Sequence, residues 1–509
     1  MSELSQLRIV VVGGGTAGWM TAAALGRFCE GASVTLVESD EIGTVGVGEA
    51  TIPDIVTFNQ ALGIDEAEFV AATGATYKLG IAFEGWGSAN ESYVHAFGQV
   101  GRGIGLLPFH HYWLRARALG FARPFGHYLL NNVILSGNRF AHVQREPGNP
   151  LPPVPYAFHF DASLYAGFLR TFAEKRGVVR REGRIVAVNR HPTSGDIASV
   201  TLANGTQVDG ELFVDCSGFR ALLIEQELES GFDDWSHWLP CDRATAVPCA
   251  SITPVTPYTR AIARRAGWQW RIPLQHRIGN GHVYCSRHIG EDEATSVLLA
   301  NLDGERTAEP RTLRFTTGRR RKAWIRNVVA IGLSAGFIEP LESTSIHLIQ
   351  TGVNRLLELL PRGEISAFAR ESYNARAAFE MERLRDFIIL HYHANGRAGE
   401  AFWDELRAME IPETLSQRID LFRDTAGIFP SLDELFDQRG WVQVMLGQGV
   451  TPKHWHPLAD QIDAQKLRHF LEITEQAYVR EASRLPDHGA YVSRFASMTR
   501  SDVPAGASA

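Results

Sequence analysis

Residues 13–18 read GGGTAG, and Gly13, Gly15 and Gly18 stand at the spacing that lets a backbone turn receive a pyrophosphate. Gly13 would make the tight turn, Gly15 would let the phosphates approach the main chain, and Gly18 would let the following helix pack on its strand. Thr16 and Ala17 would open that helix, whose first N–H groups and partial positive charge favour an anion. Such a site needs flanking elements. RIVVV at 8–12 supplies a short β-branched strand, and WMTAAALGRF after the turn is an alanine-rich helix former. A second strand, SVTLVES, reaches Glu38, 20 residues after Gly18. An acid there accepts hydrogen bonds from a ribose 2′-OH and repels the 2′-phosphate of NADP. The pattern predicts a dinucleotide site.

Two later stretches bring the chain back toward that site. LFVDCSGF at 212–219 is an apolar strand that ends in Asp215 and a glycine turn; NVVAIGLSAGFIEPLEST at 327–344 is another strand, then Gly332, small residues and a helix start. A chain that visits the site three times, near its start, its middle and residue 330, resembles the FAD-dependent monooxygenase-type flavoproteins. The resemblance implies FAD, with Asp215 and Gly332 among its contacts, whereas an NAD dehydrogenase usually confines its fingerprint to one compact unit. No second G-x-G-x-x-G serves NAD(P)H, which points to a separate NADH-dependent flavin reductase as partner.

GWQWRIP at 267–273 places Trp268 and Trp270 two residues apart, with Ile272 and Pro273 following. In a strand they share a face, and on this stretch alone the plainer reading is a strand with one face in the core. Lysine usage is also uneven. Lys and Arg total 50, of which five are lysines: Lys78, Lys175, Lys322, Lys453 and Lys466. A lysine inside the apolar, small-residue stretch TGATYKLGIAFEGW is therefore less incidental, although a snorkelling surface lysine is the bland alternative.

Four stretches together resemble the flavin-dependent halogenases of the tryptophan-halogenase type: GGGTAGW at 13–19, VGEATIP at 47–53, GWQWRIP at 267–273 and EPLESTSI at 339–346. The likeness extends to about residue 450, and the W-x-W-x-I-P motif is its most specific part. It implies that FADH2 and O2 turn chloride or bromide into hypohalous acid, which travels down a tunnel to an electron-rich ring. Trp268, Trp270, Ile272 and Pro273 would then wall the substrate away from the flavin by bulk, since an indole N–H only donates a hydrogen bond. Lys78 matches the family's catalytic lysine. An ammonium donates to the hypohalous acid and a neutral amine forms a haloamine; arginine does neither as well, being fixed in charge and shape. Glu342 would sit near the lysine, a carboxylate and an ammonium stabilising each other in a low-dielectric site; its bland reading is a capping acid at a helix start. Thr344 and Ser345 match the halide-binding position. The family commonly has Gly after the Thr, so Ser345 leaves the backbone donors but alters the pocket. Gly48, Glu49, Ala50 and Thr51 would line a strap over the flavin.

SYVHAFG at 92–98 resembles the stretch that sandwiches the indole ring, with His95 and Phe97 as planar walls. Tryptophan halogenases carry a Tyr-Tyr…Glu…Phe-Trp cluster near the C-terminus. Here the corresponding stretch, 428–450, has Leu435-Phe436 where Phe-Trp is expected and no preceding Tyr-Tyr pair. Free tryptophan would lose partners for its ammonium and carboxylate, a cost of several kcal/mol. The expected substrate is therefore indole or another small free indolic or phenolic ring, with tryptophan held through other residues as the alternative. A flavin monooxygenase and a non-catalytic FAD-binding descendant are the rival readings; halide dependence separates the first, turnover the second.

The whole chain bounds these readings. Its 509 residues, 45% hydrophobic and 21% charged, suit a soluble enzyme with a large core. A net charge of −7 excludes a general nucleic-acid binder, and Arg319-Arg320-Arg321-Lys322 reads as a solvated face. Five cysteines without a C-x-x-C pair argue against a disulfide framework and a structural zinc, and His454-Trp455-His456 lacks further ligands, so no metal is expected. No signal peptide and no run of 18 apolar residues is seen, and the tail SDVPAGASA reads as frayed; a cytoplasmic protein is expected, for which a homodimer is possible. The fold class is α/β (α+β): a Rossmann-like FAD-binding lobe over 1–362, with inserted β-rich cover segments at 106–154 and 221–319, and a mostly helical region over 363–509 that completes the substrate pocket.

Overall fold

The computed structural model describes residues 7–41, 48–87, 91–143, 148–149 and 151–498. Val47 of the VGEATIP stretch and the tail from 501 onward lie outside the described residues. The chain divides into two compact units, one of residues 1–75, 160–242 and 314–382, the other of 76–159, 243–313 and 383–509. The break expected at 362 falls within the first unit, and the strand that carries Lys78 opens the second.

The first unit is built on a six-stranded sheet in the order Trp324–Ile325, Val328–Ala330, Leu212–Asp215, Arg8–Val12, Ser33–Glu38, Val179–Glu182. All neighbours are parallel except the first pair, an antiparallel hairpin. Parallel strands are buried on both faces, which is why they read as unbroken apolar runs such as RIVVV and LFVD. The helix Thr16–Phe28 covers the sheet and packs against the helices Ala162–Glu174 and Ser345–Glu358. A small antiparallel sheet of Ile185–Arg190, Ile197–Leu202 and Gln207–Asp209 adds Ile197, Val200, Leu202 and Val208 to the apolar core around Val10, Val37 and Phe213. Of the run read as a solvated face, Arg321 and Lys322 are exposed, while Arg319 and Arg320 are largely covered and pair with Asp233 and Glu382 and with Glu225.

The second unit holds a mostly antiparallel sheet. Six of its seven strands run in the order Arg243–Ala250, Arg277–Tyr284, Gly267–Pro273, Thr259–Arg264, Gly80–Glu84, Ser92–Ala96, with Ser92–Ala96 at the edge. The strand Thr76–Lys78 pairs separately and antiparallel with 157–159. The segment 106–154, expected to be β-rich, is a correction: its described residues form the helices Phe109–Ala118 and Leu130–Ser136 and no strand. FHHYWLRARA is aromatic enough to suggest a strand, yet it buries seven of its ten residues as a helix that Pro108 starts; tertiary burial overrides β propensity. Beyond 363 the described residues are helical, with Ala367–His393 and Ala464–Arg484 the longest elements, and no helix among them is long and apolar enough to cross a membrane.

Candidate active site

In the first unit the glycine turn shows why each glycine stands where it does. Gly13 has φ +112°, and a Cβ there would lie 2.3 Å from the Cys216 carbonyl oxygen, so the turn after Leu212–Asp215 packs directly on it. A Cβ on Gly14 would fall 1.4 Å from Glu38 Oε2, because Glu38 folds over the turn. A Cβ on Gly18 would meet the Gly13 carbonyl oxygen at 1.8 Å, and one on Gly332 would meet Ala17 Cβ at 2.8 Å. Gly15 differs: nothing among the described residues lies within 4 Å of its Cβ position. Gly15 is also the N-cap of Thr16–Phe28, and no side chain caps it, so none from that position takes up the first N–H groups.

Two expected contacts of this turn have other partners. Asp215, expected as a cofactor contact, caps the loop that follows its strand. Its Oδ1 accepts from the Ser217 N–H at 3.0 Å and the Ser217 hydroxyl at 2.6 Å, and its Oδ2 from the Leu223 and Ile224 N–H groups at 2.8 Å each. With four donors its carboxylate is spent on shaping the loop. Glu38 pairs with Arg180, a residue that the sequence reading missed because it lies 142 positions away. Glu49, on the strand Gly48–Ala50, is partly exposed by area yet hemmed in by protein, and burial pushes its carboxyl up to about 7. Thr51 is buried beside it.

Glu342 ends the buried 3-10 turn Pro340–Glu342; Ser343 follows at φ +62°, and Thr344 is the N-cap of the helix Ser345–Glu358. Along one stripe of that helix and its cap, Thr344 Oγ1, His347 Nδ1 and Gln350 Nε2 are buried with no hydrogen-bond partner among the described residues. Buried polar atoms are normally paired, so this stripe fits a polar ligand. His347 is fixed through its other nitrogen by Glu380 at 3.2 Å, which Arg355 holds at 2.7 Å. Burial works against charge on Glu380, but hydrogen bonds from His347 and Arg355 keep its carboxyl below the ordinary range. The open Gly15, the uncapped helix start and this unpartnered stripe fit a dinucleotide such as FAD: Gly13–Gly18 would hold its pyrophosphate and Glu38 its ribose.

In the second unit Lys78 is fully buried, its Nζ 5.3 Å from the centre of the Phe97 ring. The strand Gly267–Pro273 runs between Thr259–Arg264 and Arg277–Tyr284, and every one of its residues is buried. The two tryptophans share a face, with ring centres 6.2 Å apart. Trp270 lies over Gly281, where a Cβ would come within 2.0 Å of its ring; its indole N–H has no partner among the described residues. Ile272 and Pro273 close the same strand.

His95 is buried on Ser92–Ala96 and meets two aromatic rings, Phe387 at 5.7 Å and Phe436 at 5.8 Å, which stack on each other at 3.8 Å. Trp441 stands edge-on to Phe387 at 4.8 Å. Of these, Phe436 was legible; Phe387 and Trp441 were not, since each reads as an ordinary apolar position of a helix. Gln443 ties this cluster down: its side-chain oxygen accepts from the Ala96 N–H at 3.0 Å, and its amide donates to the Ala96 carbonyl at 3.2 Å. Two of the acids near Phe436 have partners. Glu434 forms a two-pronged pair with Arg418 at 2.7 Å per contact, and Asp437 caps the helix Gln438–Gly447 and pairs with Arg439. His456 caps a 3-10 turn by accepting from the Leu458 N–H at 3.2 Å.

The sequence matches the tryptophan halogenase family over residues 8–464. A flavin-dependent halogenase from Xanthomonas campestris has the same fold with TM-score 0.93 at 50% identity, covering 96% of this chain and 98% of its own. One from Brevundimonas sp. BAL3 gives TM-score 0.93 at 42% identity, covering 96% and 100%. A tryptophan 6-halogenase from Streptomyces toxytricini is 35% identical over 502 residues, 92% of this chain and 95% of that protein.

Proposed function

Because the chain belongs to the tryptophan halogenase family and is therefore an enzyme, a flavin-dependent halogenase with a Rossmann-like FAD-binding fold, we propose that it halogenates a free electron-rich ring, indole or a small indole derivative, with Lys78 as its catalytic amine. The observation that carries this reading is the fully buried Lys78 in the unit that also gathers Phe97, the paired tryptophans and the ring cluster around His95. An amine has no reason to be desolvated there unless it meets a polar partner.

When bound, reduced FAD with O2 supplies the oxidising equivalents that turn chloride or bromide into an electrophile; a separate NADH-dependent reductase would deliver the flavin. The protein's own groups do the rest. The N–H groups of Thr344 and Ser345 hold the halide at a helix start. Trp268 and Trp270 fill the wall of the unit and keep the aromatic substrate from the oxidant. The Lys78 ammonium donates a hydrogen bond to hypohalous acid and polarises the halogen toward the ring, while Glu342 takes the ring proton that halogenation releases. His95 and Phe97, with Phe387 and Phe436, offer aromatic faces to a planar ring. Glu434 and Asp437 already hold Arg418 and Arg439, which supports a ring without an amino-acid end. The relatives named tryptophan halogenases support free tryptophan as the alternative.

The test is mass spectrometry of reactions with FAD, NADH, a flavin reductase, bromide or chloride, and indole or tryptophan. Mono-halogenated indole with little tryptophan product is expected. A preference for tryptophan overturns the substrate assignment, and halide-independent oxygenation overturns the reaction.

A further inference from the structure

The strand that carries Lys78 is held by two histidines whose hydrogen bonds place a proton on Nδ1 of each. Thr76 and His159 face each other across the antiparallel pair of strands. The Thr76 hydroxyl donates to the Pro273 carbonyl at 2.7 Å, and a carbonyl only accepts. Its single proton is thereby used, so its 3.1 Å contact with His159 Nδ1 requires Nδ1–H to donate to Thr76 Oγ1. The remaining nitrogen, Nε2, lies 2.9 Å from the Thr259 hydroxyl, which donates to it while the ring is neutral. One residue on, the Tyr77 N–H donates to His488 Nε2 at 3.1 Å, and His488 Nδ1–H donates to the Val255 carbonyl at 2.8 Å. His488 is therefore neutral with its proton on Nδ1; His159 carries a proton on Nδ1, and burial together with the facing Lys78 works against a second one. Both are fully buried.

We propose that His159 and His488 are positioning residues that clamp residues 76 and 77 in these tautomers, and so fix Lys78 against the Pro273 end of the tryptophan strand. The inference rests on Lys78 as the catalytic amine. The clamp has two anchor points on separate strands: Pro273 closes Gly267–Pro273 and Thr259 opens Thr259–Arg264. Adding a proton to His488 would set Nε2–H against the Tyr77 N–H, donor against donor. Adding one to His159 would add positive charge beside Lys78. The charged or titratable groups acting on His159 are Lys78 on its facing strand, His488 on His488–Met498 and Arg271 on Gly267–Pro273. Burial, then these three, holds His159 well below its ordinary value, and burial holds His488 down to about 4 despite its hydrogen bond to Val255. Two neutral rings beside Lys78 add no competing positive charge to the amine.

Four variants of the full chain test the clamp: Thr76→Val and His488→Phe remove a bond, while Thr76→Ser and His488→Gln keep the hydroxyl or the acceptor. Each is assayed for kcat, KM for the aromatic, FAD affinity and halogenated product per flavin oxidised. The two disruptive variants are expected to lose at least about tenfold in kcat and in product per flavin, with KM and FAD affinity within about twofold; the two conservative ones recover to within about threefold. Disruptive variants within twofold of the parent kcat overturn the clamp. If they fail to fold, 15N spectra of the parent decide: protonated Nδ1 and bare Nε2 on both rings from pH 8 to pH 6 are expected, and the opposite tautomer or an imidazolium on either ring overturns the clamp. Lys78→Met separates the two failures. Halogenation that survives Lys78→Met removes the catalytic lysine itself, whereas a dead Lys78→Met beside a fully active Thr76→Val removes the clamp alone.

Discussion

The glycine turn of the first unit and the lysine strand of the second are built by opposite means. The turn is made of main chain, and its specificity lies in where a Cβ cannot be: at Gly13, Gly14 and Gly18 one would strike a neighbouring atom, and at Gly15 the space is open. The lysine strand is made of side chains, closed on every side, with a chain of donors and acceptors fixing residues 76 and 77. A backbone-built site tolerates almost any side chain around it but no extra methyl at its contacts. A side-chain-built site tolerates small shifts of backbone but not the loss of one polar atom. The two should therefore fail differently.

The largest effect is expected in the second region. Lys78→Ala should lower halogenation by about 10³-fold, within the range of a positioned proton donor, while FAD affinity by fluorescence titration is unchanged. A variant that keeps full activity removes the lysine mechanism. Next, two substitutions split the turn. Gly18→Ala should cost about 3 kcal/mol of stability, since its methyl would overlap a backbone oxygen that cannot move aside, read by chemical denaturation. Gly15→Ala, at an ordinary φ of −73°, should leave stability unchanged and weaken FAD binding instead; equal melting losses in both would erase the contrast. Gly281→Ala applies the same logic to the tryptophan wall and should cost about 2 kcal/mol, with Trp270 fluorescence shifted as its ring is displaced. The smallest effect concerns Glu49. Its folded carboxyl is raised to about 7, so between roughly pH 4.5 and 7 the folded state binds more protons than the unfolded state, and stability falls as pH rises. Glu49→Gln should therefore stabilise the apoprotein by about 1 kcal/mol at pH 8 and leave it unchanged at pH 4, measured as thermal midpoints across pH.

The contrast also explains what could be read in advance. The glycine turn was legible because steric rules act over six consecutive residues and one downstream acid. The tryptophan pair was legible as a shared strand face, but the full burial of that strand on both sides was not, because it depends on strands that arrive from elsewhere in the chain. Asp215 looked like a ligand contact because it ends a strand at the right place; only the loop at 217–224, folding back on it, shows that its oxygens are used. His159 and His488 left no signal at all. Their partners lie 83 and 411 positions away in sequence, and a lone histidine looks the same whether it is filler or clamp.

Gln443 has a consequence of another kind. Ser92–Ala96 is the edge strand of its sheet, and a free edge presents main-chain donors and acceptors to any passing strand. The carboxamide of Gln443 occupies both hydrogen-bonding groups of Ala96, so a helix takes the ladder position that another chain could fill. Gln443→Leu would leave the core filled while freeing the edge-facing N–H and C=O of Ala96, and a protein altered in that way would be expected to self-associate before it lost its fold, as light scattering would show.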